Sequence, residues 1–302
     1  MTKQAKSLPV TVIGGYLGAG KTTLVNHLLR NANGRRLAIL VNEFGNIAID
    51  EDLIEAEEDG LISISGGCIC CSFGNDLIGA IDELRRSDPA PDHIVVETSG
   101  VALPGAVVAS LGLMDTIVPD GIVVLVDAET VLKQAADDYI GDTITRQLAD
   151  AEIVVINKRD LISEGAAKHL GEKLTALAPK AAQIETDFGK VPLDAVLGAV
   201  ASPSTGTIEG GHADSLFESI ALNPTALHNV PIIAERLATG PMGVVRAKGY
   251  LSGEDGSIWL LQTVGKRWQA EPLGHHPDPQ LVCIGPKGAF DASGIRKLFG
   301  ET

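Results

Sequence analysis

The apolar residues of this chain come in short, nearly unbroken aliphatic runs. Five stand in the first 160 residues: LPVTVIGG (8–15), RLAILVN (36–42), HIVVETSG (93–100), GIVVLVD (121–127) and AEIVVINK (151–158). Runs of this length, rich in Val and Ile and bounded by glycine or polar residues, predict strands buried on both faces. Between them, 21–32, 75–86, 129–137 and 163–177 are helix-compatible. This alternation predicts an α/β fold with a central, mainly parallel sheet.

The pattern changes at ASPSTGTIEGGHADS (201–215), which has no apolar periodicity and reads as a linker. Beyond it, MGVVRAKGYL (242–251), SIWLLQTVG (257–265) and QLVCIG (280–285) predict strands, and 224–238 and 289–299 predict helices. Turns such as SGEDG between the strands predict antiparallel pairing and a small α+β module. The expected organisation is a first domain over 1–200, a linker over 201–215 and a C-terminal α+β domain over 216–302.

Residues 15–22, GYLGAGKT, fit the G-x-x-x-x-G-K-[ST] phosphate-loop pattern, with a predicted strand before and a predicted helix after. Gly15, Gly18 and Gly20 let the backbone wrap phosphates, and the helix N-terminus adds partial positive charge. Lys21 is expected to reach the outer phosphates and the Thr22 hydroxyl to ligate Mg²⁺, with Ala19 and Thr23 completing the loop. The first domain is thus expected to be a P-loop NTPase domain.

NKRD (157–160) ends the fifth aliphatic run and fits the N-K-x-D guanine pattern. The Asp160 carboxylate can accept from guanine N1–H and the 2-amino group, whereas adenine would leave it unpaired. Lys158 is expected to cover the base with its stem and Asn157 to tether the loops. Glu97 and Gly100 form E-x-x-G at the end of the third run, where an acid supports Mg²⁺ through water and a glycine N–H meets the γ-phosphate. The cofactor set read from these motifs is GTP or GDP with Mg²⁺.

Composition narrows the partners. Lys and Arg number 24 against 39 Asp and Glu, a formal net charge of −15. That balance disfavours nucleic acid and anionic membranes. No apolar run reaches the length of a membrane span, and the first 21 residues read as a strand entering a glycine loop rather than as a leader. A reducing cytoplasm is the expected compartment, where clustered cysteines point to metal or catalysis rather than disulfides.

Three of the four cysteines, Cys68, Cys70 and Cys71, lie within GGCICC (66–71). Thiolates suit Zn²⁺, Cu⁺ and, with other donors, Co²⁺. A straight strand cannot bring all three to one ion, so a turn using Gly66 and Gly67 is expected, with a fourth ligand from water, Glu43, Asp50, a histidine or a second subunit. Core thiols and a Cys68–Cys71 redox pair are the competing readings. Cys283, alone in an apolar run, reads as a core residue, His93 as structural, and His275 and His276 as surface residues of a Pro-rich loop.

With GGYLGAGKTTLVNHLL (14–29), VNEFGNIAID (41–50), GGCICC, ETSGVALP (97–104) and NKRD in this order, the chain resembles the CobW-type GTPases, relatives of the urease and hydrogenase nickel-insertion GTPases. The resemblance runs through the C-terminal strands. It implies a metallochaperone or metal insertase in which GTP binding organises a thiolate site and slow hydrolysis releases the ion to a client metalloprotein. It assigns Asn42 to Gly45 and Glu97 to Gly100 to switch segments and the three cysteines to the transported metal. A regulatory GTPase with a structural zinc, and a GTP-dependent metalloenzyme activator that carries no ion, stay open, as does a homodimer. Where the family often shows Asn-Pro, this chain reads APKAAQIET (178–186), so Ala178 replaces a polar contact expected near the guanine pocket. No glutamine follows Gly100 to orient the attacking water.

Overall fold

The structure, a computed structural model, describes residues 8–41, 54–58, 61–64, 68–72, 77–114, 116–198, 216–273 and 277–300, with 54–58, 61–64 and 68–72 described as backbone strands. Residues 201–215, expected as the linker, lie outside the described residues, as do Asn42 to Gly45, Asp50, Gly66, Gly67, His275 and His276. The chain divides into two compact units, Met1–Pro179 with Gln183–Val191, and Lys180–Ala182 with Pro192–Thr302.

The first unit is built on a sheet whose described strands run in the order β3 (Ile54–Glu58), β4 (Leu61–Ile64), β5 (Cys68–Ser72), β2 (Leu37–Val41), β6 (His93–Glu97), β1 (Leu8–Gly14), β7 (Ile117–Asp127), β8 (Ile153–Asn157) and β9 (Ala182–Glu185). Pairing from β5 through β8 is parallel, and β3 and β4 add an antiparallel extension beyond β5. The aliphatic runs explain the centre: β2, β6 and β8 are buried at every position, as a sheet covered on both faces requires. Leu8, Val10 and Val12 of β1, Ala38 and Leu40 of β2, and Ile94 and Val96 of β6 form one face with α2 (Leu77–Arg86) and α3 (Pro104–Leu111). Residues of the other parity, Ile13, Leu37, Ile39 and Val95, are fully buried too.

α1 (Lys21–Arg30), α4 (Val131–Ala135) and α6 (Glu164–Leu177) form where the sequence predicts helices. α3 and α5 (Gly141–Asp150) were not predicted. PGAVVASL has no polar face to generate a helical period. In α5 the buried positions are Gly141, Ile144, Gln147 and Leu148, and the glutamine interrupts the apolar stripe. The irregularity of β7 against β1 falls between Val10 and Thr11, and Asp120 is the extra residue of the bulge. There Thr11 Oγ1 and His93 Nε2 lie 2.9 Å apart, and the Asp120 carboxylate is 3.8 Å from the same nitrogen, all three residues buried. His93 is therefore a core residue.

The second unit holds a sheet in the order β10 (Phe217–Leu222), β14 (Gln280–Pro286), β11 (Arg246–Ser252), β12 (Ile258–Val264) and β13 (Arg267–Pro272), every pairing antiparallel. Its core joins β10, β11, β12 and β14 to α8 (Val230–Thr239) and α9 (Ala292–Leu298). α8 starts later than the 224 expected from sequence because Asn229 caps it, its side chain accepting from the Ile232 N–H at 3.3 Å. Proline at the second helical position suits that start. Arg246 is almost fully buried and donates to the Val196 carbonyl of α7 (Leu193–Leu197) at 2.7 Å.

Cys283 sits in the middle of β14 opposite Ile220 and Ala247, with no exposed surface. Burial pushes its thiol up to about 12, so it is neutral and sterically shielded in the folded chain. In a Cys68→Ser, Cys70→Ser, Cys71→Ser variant, titration with a thiol-specific chromophore should detect no thiol in the native protein and one per chain in denaturant. Prompt native labelling would show that β14 is not shielded.

Candidate nucleotide and metal site

Parallel strands leave their loops at one edge, and the loops after β1, β6, β7 and β8 carry the candidate residues. The loop from Gly14 to Lys21 turns on three glycines with positive φ: 129° at Gly15, 78° at Gly18 and 102° at Gly20. Two of these also have neighbours that exclude a side chain. A Cβ on Gly15 would strike the Leu125 carbonyl oxygen, and one on Gly20 would strike the Asn157 carboxamide nitrogen. The loop is thus pressed against β7 and β8 in a conformation open to glycine.

Lys21 opens α1 and is largely buried; its ammonium donates to the Gly15 carbonyl at 3.0 Å and the Tyr16 carbonyl at 3.4 Å. The next residue, Thr22, donates its hydroxyl to Glu97 Oε1 at 3.1 Å, joining the start of α1 to the end of β6. Glu97 is 3% exposed. A hydroxyl and a buried carboxylate are hard oxygen donors, the set that suits Mg²⁺ beside phosphate. Beyond Glu97, the Thr98 N–H donates to the Ile13 carbonyl at 2.9 Å, carrying the β1–β6 ladder one residue further. Gly100 then lies on the glycine loop: an added Cβ would stand 2.8 Å from the Leu17 nitrogen.

Asn157 closes the other side. Its side-chain N–H₂ donates to the Ala19 carbonyl at 2.9 Å, and its side-chain oxygen accepts from the Gly189 N–H at 2.9 Å. One buried carboxamide therefore ties the phosphate loop to the segment after β9. Lys158 follows with φ 58°, and its ammonium meets Asp127 Oδ2 at 2.6 Å. The backbone N–H of exposed Asp160 donates to Asp187 Oδ1 at 2.9 Å. Burial works against the charge on Arg159, but hydrogen bonds and charge from Glu185 and Glu164 outweigh it and raise its pKa. His27, on α1 near Val191, is held below its usual pKa by burial and by the charges of Lys190 and Arg30, against a hydrogen bond to the Val191 backbone.

Two site features escaped the sequence reading. Asp127 ends β7 at the same edge and anchors Lys158; its position as a strand-end carboxylate was the available signal. The segment 186–190 packs beside Asn157, with the Thr186 N–H bonded to the Ile156 carbonyl and the Thr186 O–H to the Lys190 carbonyl. The expectation for Ala178 is corrected accordingly. Ala178 is the buried C-cap of α6, its N–H bonded to Leu174, and it precedes β9, whereas Asn157 and Asp160 meet the segment that follows β9. Phe188 in that segment also has positive φ, 54°, and 67% exposure.

The three cysteine positions lie in a strand, not in the expected turn. β5 pairs with β2 on one side and β4 on the other, and two ladders outweigh the freedom of the glycines before it. Backbone alternation puts positions 68 and 70 on one face and 71 on the other. Register places β5 in the same frame as Glu97: Ile13, Glu97, Val41 and Ser72 form one row across the sheet. Glu43 and Asp50 lie outside the described residues. Among the described residues, no group of His, Cys, Asp and Glu side chains is placed to hold a metal ion, and no helix is long and apolar enough to cross a membrane.

Comparison with known proteins agrees with this geometry. The family model for the CobW/HypB/UreG nucleotide-binding domain matches residues 9–185. A zinc chaperone CobW from Sinorhizobium sp is 34% identical over 220 residues, covering 63% of this chain and 62% of its own length. A zinc-regulated GTPase metalloprotein activator 1 from Schizosaccharomyces pombe is 27% identical over 341 residues, covering 92% of this chain and 82% of its own. The crystal structure of the Zn(II)-bound YjiA GTPase from E. coli superposes with a TM-score of 0.50 at 26% identity, over 98% of each chain. The match spans about three fifths of the length of the Sinorhizobium relative and of a second zinc chaperone CobW, from Pseudomonas aeruginosa, at 62% and 61%.

Replacing Asn157 by Ala should leave the Ala19 carbonyl and Gly189 N–H without this partner. A loss of about 2 kcal/mol of unfolding free energy is expected, with guanine-nucleotide affinity reduced at least tenfold. Denaturant unfolding and fluorescent-nucleotide titration measure the two effects, and an unchanged affinity would remove Asn157 from the site.

Proposed function

The chain belongs to the CobW/HypB/UreG family, and on that premise we propose that it is a GTP-dependent metallochaperone. It carries Zn²⁺, with Co²⁺ the alternative cargo, on Cys68, Cys70 and Cys71 and couples GTP binding and slow hydrolysis to transfer of the ion to a client metalloprotein. The observation that carries this reading is the row Ile13–Glu97–Val41–Ser72, which sets the cysteine strand and the magnesium-side glutamate in one hydrogen-bonded frame. Strand spacing puts β5 about 10 Å from β6. A rearrangement at Glu97 therefore has a route to the thiolates through β2 and not only along the chain.

The residues fit their proposed roles. The glycine loop, residues 15–20, wraps the phosphates, and Lys21 exchanges its two loop carbonyls for phosphate oxygens. Thr22 and Glu97 would hold Mg²⁺, which would supply charge neutralisation beside the phosphates. Asn157 fixes the loops, Lys158 lies under the base with Asp127 holding its head, and Asp160 accepts from the guanine edge. Thr23 and Ala19 complete the phosphate side. With no glutamine after Gly100, the attacking water lacks one orienting group, and hydrolysis is slow.

A second reading, activation of a metalloenzyme without carriage of the ion, draws support from the Schizosaccharomyces pombe relative, which is named an activator and matches most of this chain. Nucleotide can control cargo only if the two nucleotide states differ in metal affinity. Competitive titrations of Zn²⁺ and Co²⁺ with Mg²⁺ present should give affinity on the order of tenfold tighter with a non-hydrolysable GTP analogue than with GDP. Equal affinities would sink the coupled carrier. The variant with all three cysteines changed to Ser should lose exchangeable metal and keep its melting temperature, whereas a structural zinc would cost folding.

A further inference from the structure

α5 contacts the segment after Glu97 through two polar side chains, Gln147 and Asp150. Gln147 is 1% exposed. Its carboxamide N–H₂ donates to the Gly100 carbonyl at 3.0 Å and to the Ala102 carbonyl at 2.8 Å. Three residues on, one helical turn away on the same face, Asp150 Oδ2 accepts from the Gly105 N–H at 2.9 Å, in the first turn of α3. The stretch from Gly100 to Gly105 is therefore gripped at both ends by one helix. Apolar neighbours flank Gln147 on α5, with Ile144 and Leu148 both buried. An apolar residue would fill such a position without desolvating a carboxamide, which costs free energy unless its hydrogen bonds are made.

The two carbonyls sit at the nucleotide side of the fold. Gly100 packs on Leu17 of the glycine loop with no room for a side chain. A small cavity of about 10 Å³, enough for about one water molecule, is lined by Gln147 together with Tyr16, Leu17 and Ala19. Gln147 thus stands behind both the glycine loop and the Glu97–Gly100 segment. The Gly100 carbonyl held by Gln147 fixes the Gly100–Val101 peptide plane, which leaves only φ and ψ of Gly100 between that plane and the one carrying the Gly100 N–H.

We propose that Gln147 is a positioning residue for GTP turnover: by holding the Gly100 and Ala102 carbonyls it aims the Gly100 N–H at the terminal phosphate. Its hydrogen bonds go to the segment after Glu97 and not to the glycine loop, so its loss should act on GTP turnover rather than on GDP binding. The proposal rests on the guanine-nucleotide reading of the site. Gln147→Met keeps the length and removes both donors; Gln147→Glu keeps the shape and replaces the donors with a buried carboxylate facing two carbonyls. Both are compared with the wild-type full chain for kcat and KM with GTP, Kd for GDP, and melting temperature.

The expected result is a kcat at least tenfold lower in both variants, with the GDP Kd within about twofold of wild type. In addition, the Glu variant should regain part of its kcat relative to wild type as pH falls from about 8 to about 6, because burial raises the carboxyl pKa and its protonated form restores one of the two donors. The Met variant should show no such recovery. Turnover unchanged in both variants, or GTP and GDP weakened equally, overturns the proposal; if the Met variant does not fold, the pH profile of the Glu variant decides alone. A wild-type chain that does not hydrolyse GTP overturns the GTPase reading and this role with it, whereas an active wild type with indifferent variants overturns only the role of Gln147.

Discussion

The carboxamide of Asn157 is the interaction on which the arrangement of the site depends. It is buried at the end of β8 and spends a donor on one loop and an acceptor on another, Ala19 and Gly189. A group satisfied in this way is pinned in direction, because either partner left alone would be a buried polar atom without its bond. The requirement for glycine at position 20 follows, since a methyl there would collide with the same carboxamide nitrogen. The phosphate loop therefore takes its shape from β8 as well as from its own glycines.

From that fixed point the parallel sheet distributes position. Strand ends at one edge bring Glu97, Asp127 and Asn157 alongside the glycine loop, and the ladders hold them in register. The same ladders continue through β2 to the cysteine strand. The frame that carries Thr22 and Glu97, hard oxygen donors, thereby also carries the strand of Cys68, Cys70 and Cys71, whose residue type is a soft donor.

Much of this was legible in the sequence for specific reasons. The aliphatic runs 36–42, 93–100 and 151–158 are strands because residues buried on both faces have no polar alternation to hide the signal. The phosphate loop and NKRD were legible because glycine, lysine and carboxylate at fixed spacing have few other uses. What stayed hidden was of two kinds. IEAEE and LISI are too short and too polar or too plain to announce the antiparallel strands β3 and β4, and the pairing of β4 with β5 helped turn the expected cysteine turn into a ladder. Gln147, Asp127 and the segment 186–190 matter through contacts with residues far along the chain, and no local pattern encodes such contacts.

Lys158 carries a consequence of its own. A side-chain-bearing residue in the left-handed region costs on the order of 1 kcal/mol, and at Lys158 the Asp127 carboxylate holds the ammonium while the backbone stays there. Glycine would relieve that strain but remove the ammonium that joins the end of β8 to Asp127 at the end of β7, so durability of the backbone and this ion pair pull in opposite directions. Sequences selected for heat resistance alone would drift away from lysine here.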